Sequence, residues 1–333
     1  MKAALAALAV ASFAAAPAQA QDLPKTQLKV VGSISSLPPY REFEVPFWTK
    51  TLAEKSNGAI TAEIKGFNEM GLKGPEVLRL MSTGALEIGA TVLAYLAADD
   101  ATFEAVDIAG LLTDVDSARK ATDASKAMYA KVMQKFGVKL LGIGTYPAQV
   151  IYCNAELNGL ADVKGKKVRV AGRSQSELVQ ALGGTPVGVP LGGIYEALSG
   201  NLAKWNEVST HLVALPVSWG QIAYATNAKT WERLDPRVRA VIETEVKGLE
   251  KNIWDAAAYH TAQGLACNAG TDECKIGTKG RMKVIQPSAA DRALLKKVVD
   301  ETMLPKWAAR CSADCVADFN QTIGKTVAVA AKK

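Results

Sequence analysis

The sequence predicts an α/β protein of two lobes, each a mostly parallel sheet flanked by helices, facing one another across a cleft. Three observations carry this. From Gln27 onward the apolar signal alternates between the period of a strand and that of a helix, and near Val150 a second run of the same kind begins. After Asp235-Pro236 comes a periodic segment too long for one small lobe. A chain of 333 residues exceeds one compact core, and 49% hydrophobic with 22% charged residues is the composition of a folded protein.

The elements follow in order. LKVVG is a strand, and Pro39 to Ser56 reads as a helix with Phe43, Phe47, Trp48 and Leu52 inward and Asn57-Gly58 as its stop. AITAEI is a second strand. Pro75 opens a helix carrying Val77, Leu78 and Met81 that ends near Gly84, and LEIGATVL is the third strand. Ser117 to Phe136 is helical, stopped by Gly137, and VKLLGIGT returns to strand. This rhythm argues for a parallel sheet covered by helices on both faces. The second unit repeats it with VIYC, KKVRV, a helix from Ser174, the strand TPVGV and a helix from Ile194 to Leu198. Asp235-Pro236 caps and opens the longest segment, with Val238, Val241, Ile242, Val246, Leu249, Ile253, Trp254 and Ala257 on one face. Unbroken to about Ala266 it is roughly 45 Å long, a strut along both lobes. Two shorter helices with a break near Gly248 are the alternative. The lobes divide as residues 21–148 plus about 225–255 and residues 149–224 plus about 256–333.

Residues 1–20 pair Lys2 with an almost unbroken apolar run and end in Ala18-Gln19-Ala20, a small-x-small cleavage signal. The run is too short to span a bilayer as an anchor, so the mature chain is expected to be exported and to begin at Gln21. Loss of Lys2 lowers the net charge from +6 to +5, without basic runs, which is no nucleic-acid footprint. In an oxidising compartment Cys267, Cys274, Cys311 and Cys315 are expected in disulfides rather than a zinc site, in any of three connectivities. Cys153, inside VIYC, reads as a buried small hydrophobe.

The stretch from Asp162 to Glu207 holds the chemistry. In KKVRV, Val168 and Val170 face one way and Arg169 the other; the strand runs into Ala171-Gly172, and Ser174-x-x-Glu177 has capping-box spacing for a helix with Leu178, Val179 and Leu182 inward. Unpaired N–H groups at a helix start beside a guanidinium make an anion site, since arginine meets a carboxylate with two parallel hydrogen bonds. Ligands in open α/β sheets bind beyond the carboxyl ends of strands, where Arg169 falls.

The longer word, DVKGKKVRV, then LGGTPVGVP, then IYEALSGN, resembles the signature region of the solute-binding proteins of TRAP (tripartite ATP-independent periplasmic) transporters. GFNEMGLKGPEVLRLMSTGALEIG and ATNAKTWERLDP resemble other segments of that family, so the likeness covers nearly the whole mature chain. It implies a periplasmic binding protein of clamshell form, a long helix straddling both domains, and a C-terminal return onto the second lobe. It implies no cofactor, and as partners a small organic acid and the membrane permease subunits of the transporter. Arg169 stands where the family's arginine holds the substrate carboxylate. Gln149 stands where members that bind sugar acids often place a second arginine, which suggests fewer anionic groups at that end. Leu191 falls where the family sets an apolar or aromatic residue against the substrate body. Arg173 offers a second charge, or is a solvated loop arginine. Tyr95 lies where sialic-acid binders carry a carboxylate, an argument against a polyhydroxy ligand. The chain departs from the family at Lys204 to Glu207. There Trp205 can stack on a ring and Asn206 or Glu207 can bond a hydroxyl, which with Tyr146 and Trp219 would wall a pocket for an acid with an apolar or aromatic body. Trp205 packing only the lobe is the other reading.

An exported hydrolase is the rival from another class. His260, on the long helix, has no Cys or carboxylate companion at a useful spacing, and Ser209-Thr210-His211 cannot all face one reacting atom on a strand. G-x-S-x-G, HExxH, EF-hand and G-x-G-x-x-G patterns do not occur. An exported ligand sensor for a receptor kinase uses the same clamshell and stays open as an alternative.

Overall fold

The computed structural model describes residues 22–188 and 209–333. The leader, the helix expected over Ile194 to Leu198, and Leu191, Trp205, Asn206 and Glu207 lie outside the described residues.

The first sheet is five-stranded, in the order β2-β1-β3-β9-β4, built from β1 (Thr26–Gly32), β2 (Ile60–Gly66), β3 (Ile88–Val92), β4 (Val138–Gly144) and β9 (Ile222–Asn227). β1 pairs parallel with β2 and β3, whereas β9 pairs antiparallel with both β3 and β4. The reason is connectivity. β1 to β4 end at one edge of the sheet, and β9 enters from that edge after the second unit, so it must run the other way. Four of the five strands run the same way, so the sheet is mostly parallel as the sequence predicts, with β9 as its one antiparallel member.

Helical turns run over Pro39–Glu44, Phe47–Thr51 and α1 (Leu52–Lys55), stopped as expected at Asn57 and Gly58, both with positive φ. Phe47, Trp48 and Leu52 are buried against the sheet. The helices α2 (Pro75–Thr83) and α3 (Val115–Gln134) follow, α3 capped by Asp114 accepting from Ser117 N–H.

The second unit is less regular than the first. Its described strands form a three-stranded sheet, with β8 (His211–Ser218) between β10 (Lys283–Ile285) and β5 (Gln149–Cys153), and a separate parallel pair of β6 (Lys167–Val170) and β7 (Thr185–Gly188). α4 (Arg173–Ala181) opens one residue before Ser174, with Gly172 as its N-cap, so the expected capping box does not form. Ser174 Oγ instead accepts from Ala109 N–H at 2.6 Å, and Glu177 pairs with Arg310.

After the short α5 (Ala228–Arg233) comes the strut, α6 (Pro236–Ala269), capped by Asp235 and continuous through Gly248 for 34 residues, about 51 Å. Its first half lies on β4. A Cβ at Gly142 would stand 2.8 Å from Val246 Cγ1, so the strand is glycine where the helix presses closest, and Trp254 Nε1 donates to Ile143 O at 2.9 Å. Its last turns pass the crossing between the units, where Thr261 Oγ1 accepts from Ala148 N–H, and meet the second unit where Asn268 reaches Tyr152.

The C-terminal helices α7 (Ala289–Val298), α8 (Leu304–Arg310) and α9 (Ala313–Phe319) touch both units. Asp291 accepts from Leu160 N–H at 2.6 Å, while Trp307 Nε1 donates to Ala101 O at 2.9 Å and Lys131 pairs with Asp318. The return therefore covers part of the first unit as well as the second lobe. The disulfides are Cys267–Cys274 and Cys311–Cys315, the neighbour-to-neighbour choice among the three. Cys153 is half-buried at the end of β5 and not part of the core interior.

Candidate functional site

Four chain segments converge between the two units: the loop after β3, the crossing at 145–149, the turn after β6 and the crossing at 218–221. Arg169, the third residue of β6, is half-buried. Burial pulls its pKa down and the neighbouring Tyr95 pushes it back up; arginine keeps its charge through such a shift. Tyr95 comes from the first unit. Its ring packs on Gly74, where a Cβ would overlap it and where φ is +76°; burial raises its phenol above the ordinary value, opposed by the Arg169 charge. The two backbones approach nearby as well, since a Cβ on Gly172 would lie 3.7 Å from Ala94 O.

Gln149 opens β5 opposite Ser218. Its Oε1 accepts from Gln175 Nε2 at 3.1 Å, and Gln175 Oε1 accepts from Ala171 N–H at 2.8 Å, so a single side chain joins the end of the Arg169 strand to Gln149. Beneath Gln149 lies Gly220, with φ +60°; a Cβ there would stand 2.8 Å from Gln149 Nε2 and 3.2 Å from Tyr146 Cδ2.

Tyr146 is 5% exposed, and its hydroxyl accepts from Ile34 N–H at 3.2 Å, fastening the crossing to the end of β1. Burial raises its pKa. Next to it, Ser33 N–H donates to Glu44 Oε2 at 2.7 Å and Tyr224 Oη donates to Oε1 at 2.9 Å; burial raises the Glu44 carboxyl. Trp219, proposed above as pocket wall, is 2% exposed and donates from Nε1 to Leu112 O at 2.9 Å. Its indole is thus packed in the core, where a buried N–H finds its acceptor, and not presented at a surface. Arg173 is exposed at the first position of α4, which fits the solvated reading.

Asp107 holds the second crossing in place. Its carboxylate accepts from Ser218 Oγ at 2.7 Å, Trp219 N–H at 2.8 Å and Gly220 N–H at 3.0 Å. Burial pushes it up to about 6, against those three donors. Arg310 bridges Glu104 and Glu177, tying the segment Ala101–Asp107 to α4.

No motif or spacing in the sequence points to Asp107, Glu44, Gln175 or Gly220 as site residues. The signals it does carry, for two of them, are an acid inside the apolar run ATFEAVDIAG and an amide next to a glycine turn. His260 does have a carboxylate companion, contrary to expectation: Glu42 Oε2 lies 3.2 Å from its Nε2. Among the described residues His260 Nδ1 has no hydrogen-bond partner, and His211 Nδ1 pairs with Thr210 Oγ1 at 2.8 Å. Among those residues no group of three metal-ligating side chains occurs, and no helix is long and apolar enough to cross a membrane.

Comparison with known proteins agrees with this fold. The model of bacterial extracellular solute-binding protein family 7 (DctP) matches residues 41–305. Among similar solved structures, an extracytoplasmic solute receptor of Bordetella pertussis that binds pyroglutamic acid superposes with a TM-score of 0.77, at 19% identity, over 91% of this chain and 99% of that one. A TRAP periplasmic solute-binding protein of Desulfovibrio salexigens with bound orotic acid gives 0.78 at 19% identity, over 91% and 98%. One from Haemophilus influenzae with bound L-gulonate gives 0.73 at 21% identity, over 91% and 100%. The chain belongs to family 7 of the bacterial extracellular solute-binding proteins, the TRAP-type receptors that its Asp162-to-Glu207 word resembles, a family of binding proteins and not of enzymes.

Proposed function

We propose that this chain captures a small organic acid between its two lobes outside the cytoplasmic membrane, after loss of residues 1–20, and delivers it to the permease subunits of a TRAP transporter. Arg169 takes the carboxylate and Tyr95 closes over it from the other lobe, so that binding selects the closed conformation. The observation that carries this is the half-buried guanidinium at the end of β6 with the Tyr95 ring of the first unit beside it. A partly buried carboxylate needs a partner that is always charged. The three similar proteins named above bind pyroglutamic acid, orotic acid and L-gulonate, each of which carries one carboxylate. Gln149, a neutral amide, suits a ligand with a single anionic group. Tyr95 supplies an apolar surface for its body, and Leu191, Trp205, Asn206 and Glu207 remain part of the proposed site.

A thermal-shift screen of organic acids tests the reading, since a ligand at a hundred times its Kd adds about 2.7 kcal/mol to stability. Calorimetry on the best ligand then decides the role of Arg169. Arg169→Ala abolishes tight binding with the fold intact, and Arg169→Lys recovers little because a point charge cannot make the two-bonded fork. Undiminished affinity in either variant refutes the assignment.

A further inference from the structure

We infer that Gln175 fixes the polarity of Gln149, so that the cleft presents Arg169 and a second, uncharged donor, and selects acids that carry a neutral hydrogen-bond acceptor such as a ring carbonyl. This rests on the reading of Arg169 given above and adds to it a residue and a chemical class.

One backbone group sets the orientation of both amides. Ala171 N–H can only donate, and it donates to the Gln175 side chain at 2.8 Å. The atom facing it is therefore the amide oxygen, and the other end of Gln175, directed at Gln149, is the NH2 group. That group can only donate, and it meets Gln149 at 3.1 Å, so the atom of Gln149 facing it is Oε1. Two amides that could each turn either way are thus locked in sequence by one N–H, and Gln149 is left showing its own NH2 group on the side of Gly220. Position 220 carries no side chain, and any Cβ there would fall 2.8 Å from Nε2. The glycine leaves room on the donor face of Gln149, two residues beyond the Ser218 that pairs with Gln149.

The same lock joins both recognition groups. Ala171 follows Arg169 by two residues, so Gln175 holds the end of the arginine strand and the orientation of Gln149 together. An arginine fork and an amide NH2 are both donors. A dicarboxylate would set its second charge against a neutral partner, and an ammonium or hydrocarbon group at that end would leave the NH2 without an acceptor.

The probes are L-pyroglutamate, with a ring carbonyl, and cyclopentanecarboxylate, with the same ring size and carboxylate but no acceptor. Calorimetry on the wild-type chain is expected to give a preference for L-pyroglutamate of about tenfold, the worth of one good hydrogen bond. In Gln175→Glu the Ala171 N–H keeps its acceptor, but the second carboxylate oxygen now faces Gln149 and turns its amide around. The preference then falls to about unity or inverts, whatever the added charge does to both probes alike. Gln149→Leu loses the preference too, and unliganded melting curves confirm that each variant is folded. An unchanged ratio in Gln175→Glu overturns the inference, as does a wild-type chain that binds neither probe or binds both equally. The reading of Arg169 fails on a different result, retention of organic-acid binding by Arg169→Ala.

Discussion

Replacing Asp107 by Asn has a consequence that can be computed from the geometry and read as a function of pH. The carboxyl lies buried under three donors from Ser218, Trp219 and Gly220, and burial sets it at about 6 instead of the ordinary 3.8. The folded chain therefore holds this proton more tightly than the unfolded one. Between pH ~4 and pH ~6 it binds more protons, and stability falls as pH rises through that window. A difference of about two pH units corresponds to about 3 kcal/mol, of which about 2 kcal/mol falls between pH 4.5 and pH 7.5. Asn cannot ionise, and it leaves one of the three donors facing an NH2 group. That costs about 1–3 kcal/mol at every pH and cancels when the two profiles are subtracted. Urea unfolding of both proteins at pH 4.5, 5.5 and 7.5 is expected to show the variant gaining about 2 kcal/mol on the wild type across the range. Parallel profiles would refute the argument, because they would mean that Asp107 ionises alike in folded and unfolded chains.

Three further outcomes follow from the same structure. Arg310→Ala leaves Glu104, which is 1% exposed, and Glu177 without their shared cation, and a loss of about 3–5 kcal/mol in denaturant unfolding is expected. Gly220→Ala must adopt φ near +60° and push on Gln149 and Tyr146; a loss of about 1–2 kcal/mol is expected together with weaker acid binding, whereas Gly248→Ala, whose Cβ meets nothing within 4 Å, is neutral or stabilising. The double change Cys267→Ser with Cys274→Ser reopens a short loop, worth about 2.5 kcal/mol by loop-closure entropy, seen as a lower Tm without reductant, and added reductant then lowers Tm less than in the wild type because only Cys311–Cys315 is left to open.

Much of this fold is legible in the sequence because the deciding signals are local. Asp235-Pro236 marks the start of the strut, and Gly248 fails to break it. One glycine costs about 1 kcal/mol, against buried Val246, Leu249, Ile253 and Trp254 nearby on the same helix. The Arg169 strand and the turn after it are equally readable from alternation and Gly172. What escapes is set by tertiary partners. Ser174 has the spacing of a cap, but its oxygen serves Ala109, 65 residues away, so the helix starts elsewhere. Trp219 looks like a pocket wall until the Leu112 carbonyl is seen to hold it. Glu42 and His260 are joined across the fold, a pairing no sequence spacing reveals. β9 is antiparallel because of where the chain returns from, which periodicity does not encode.

The unbroken α6 restricts how two lobes can move. A hinge made only of loops lets each half wander independently, but here a stiff rod is bolted to β4 through Trp254 and to the second unit through Asn268, which reaches Tyr152 of β5. On the proposed closure, a rod held at both ends leaves the cleft few ways to shut. On the proposed delivery to a permease, that restriction would give the occupied form one outline whichever molecule lies inside.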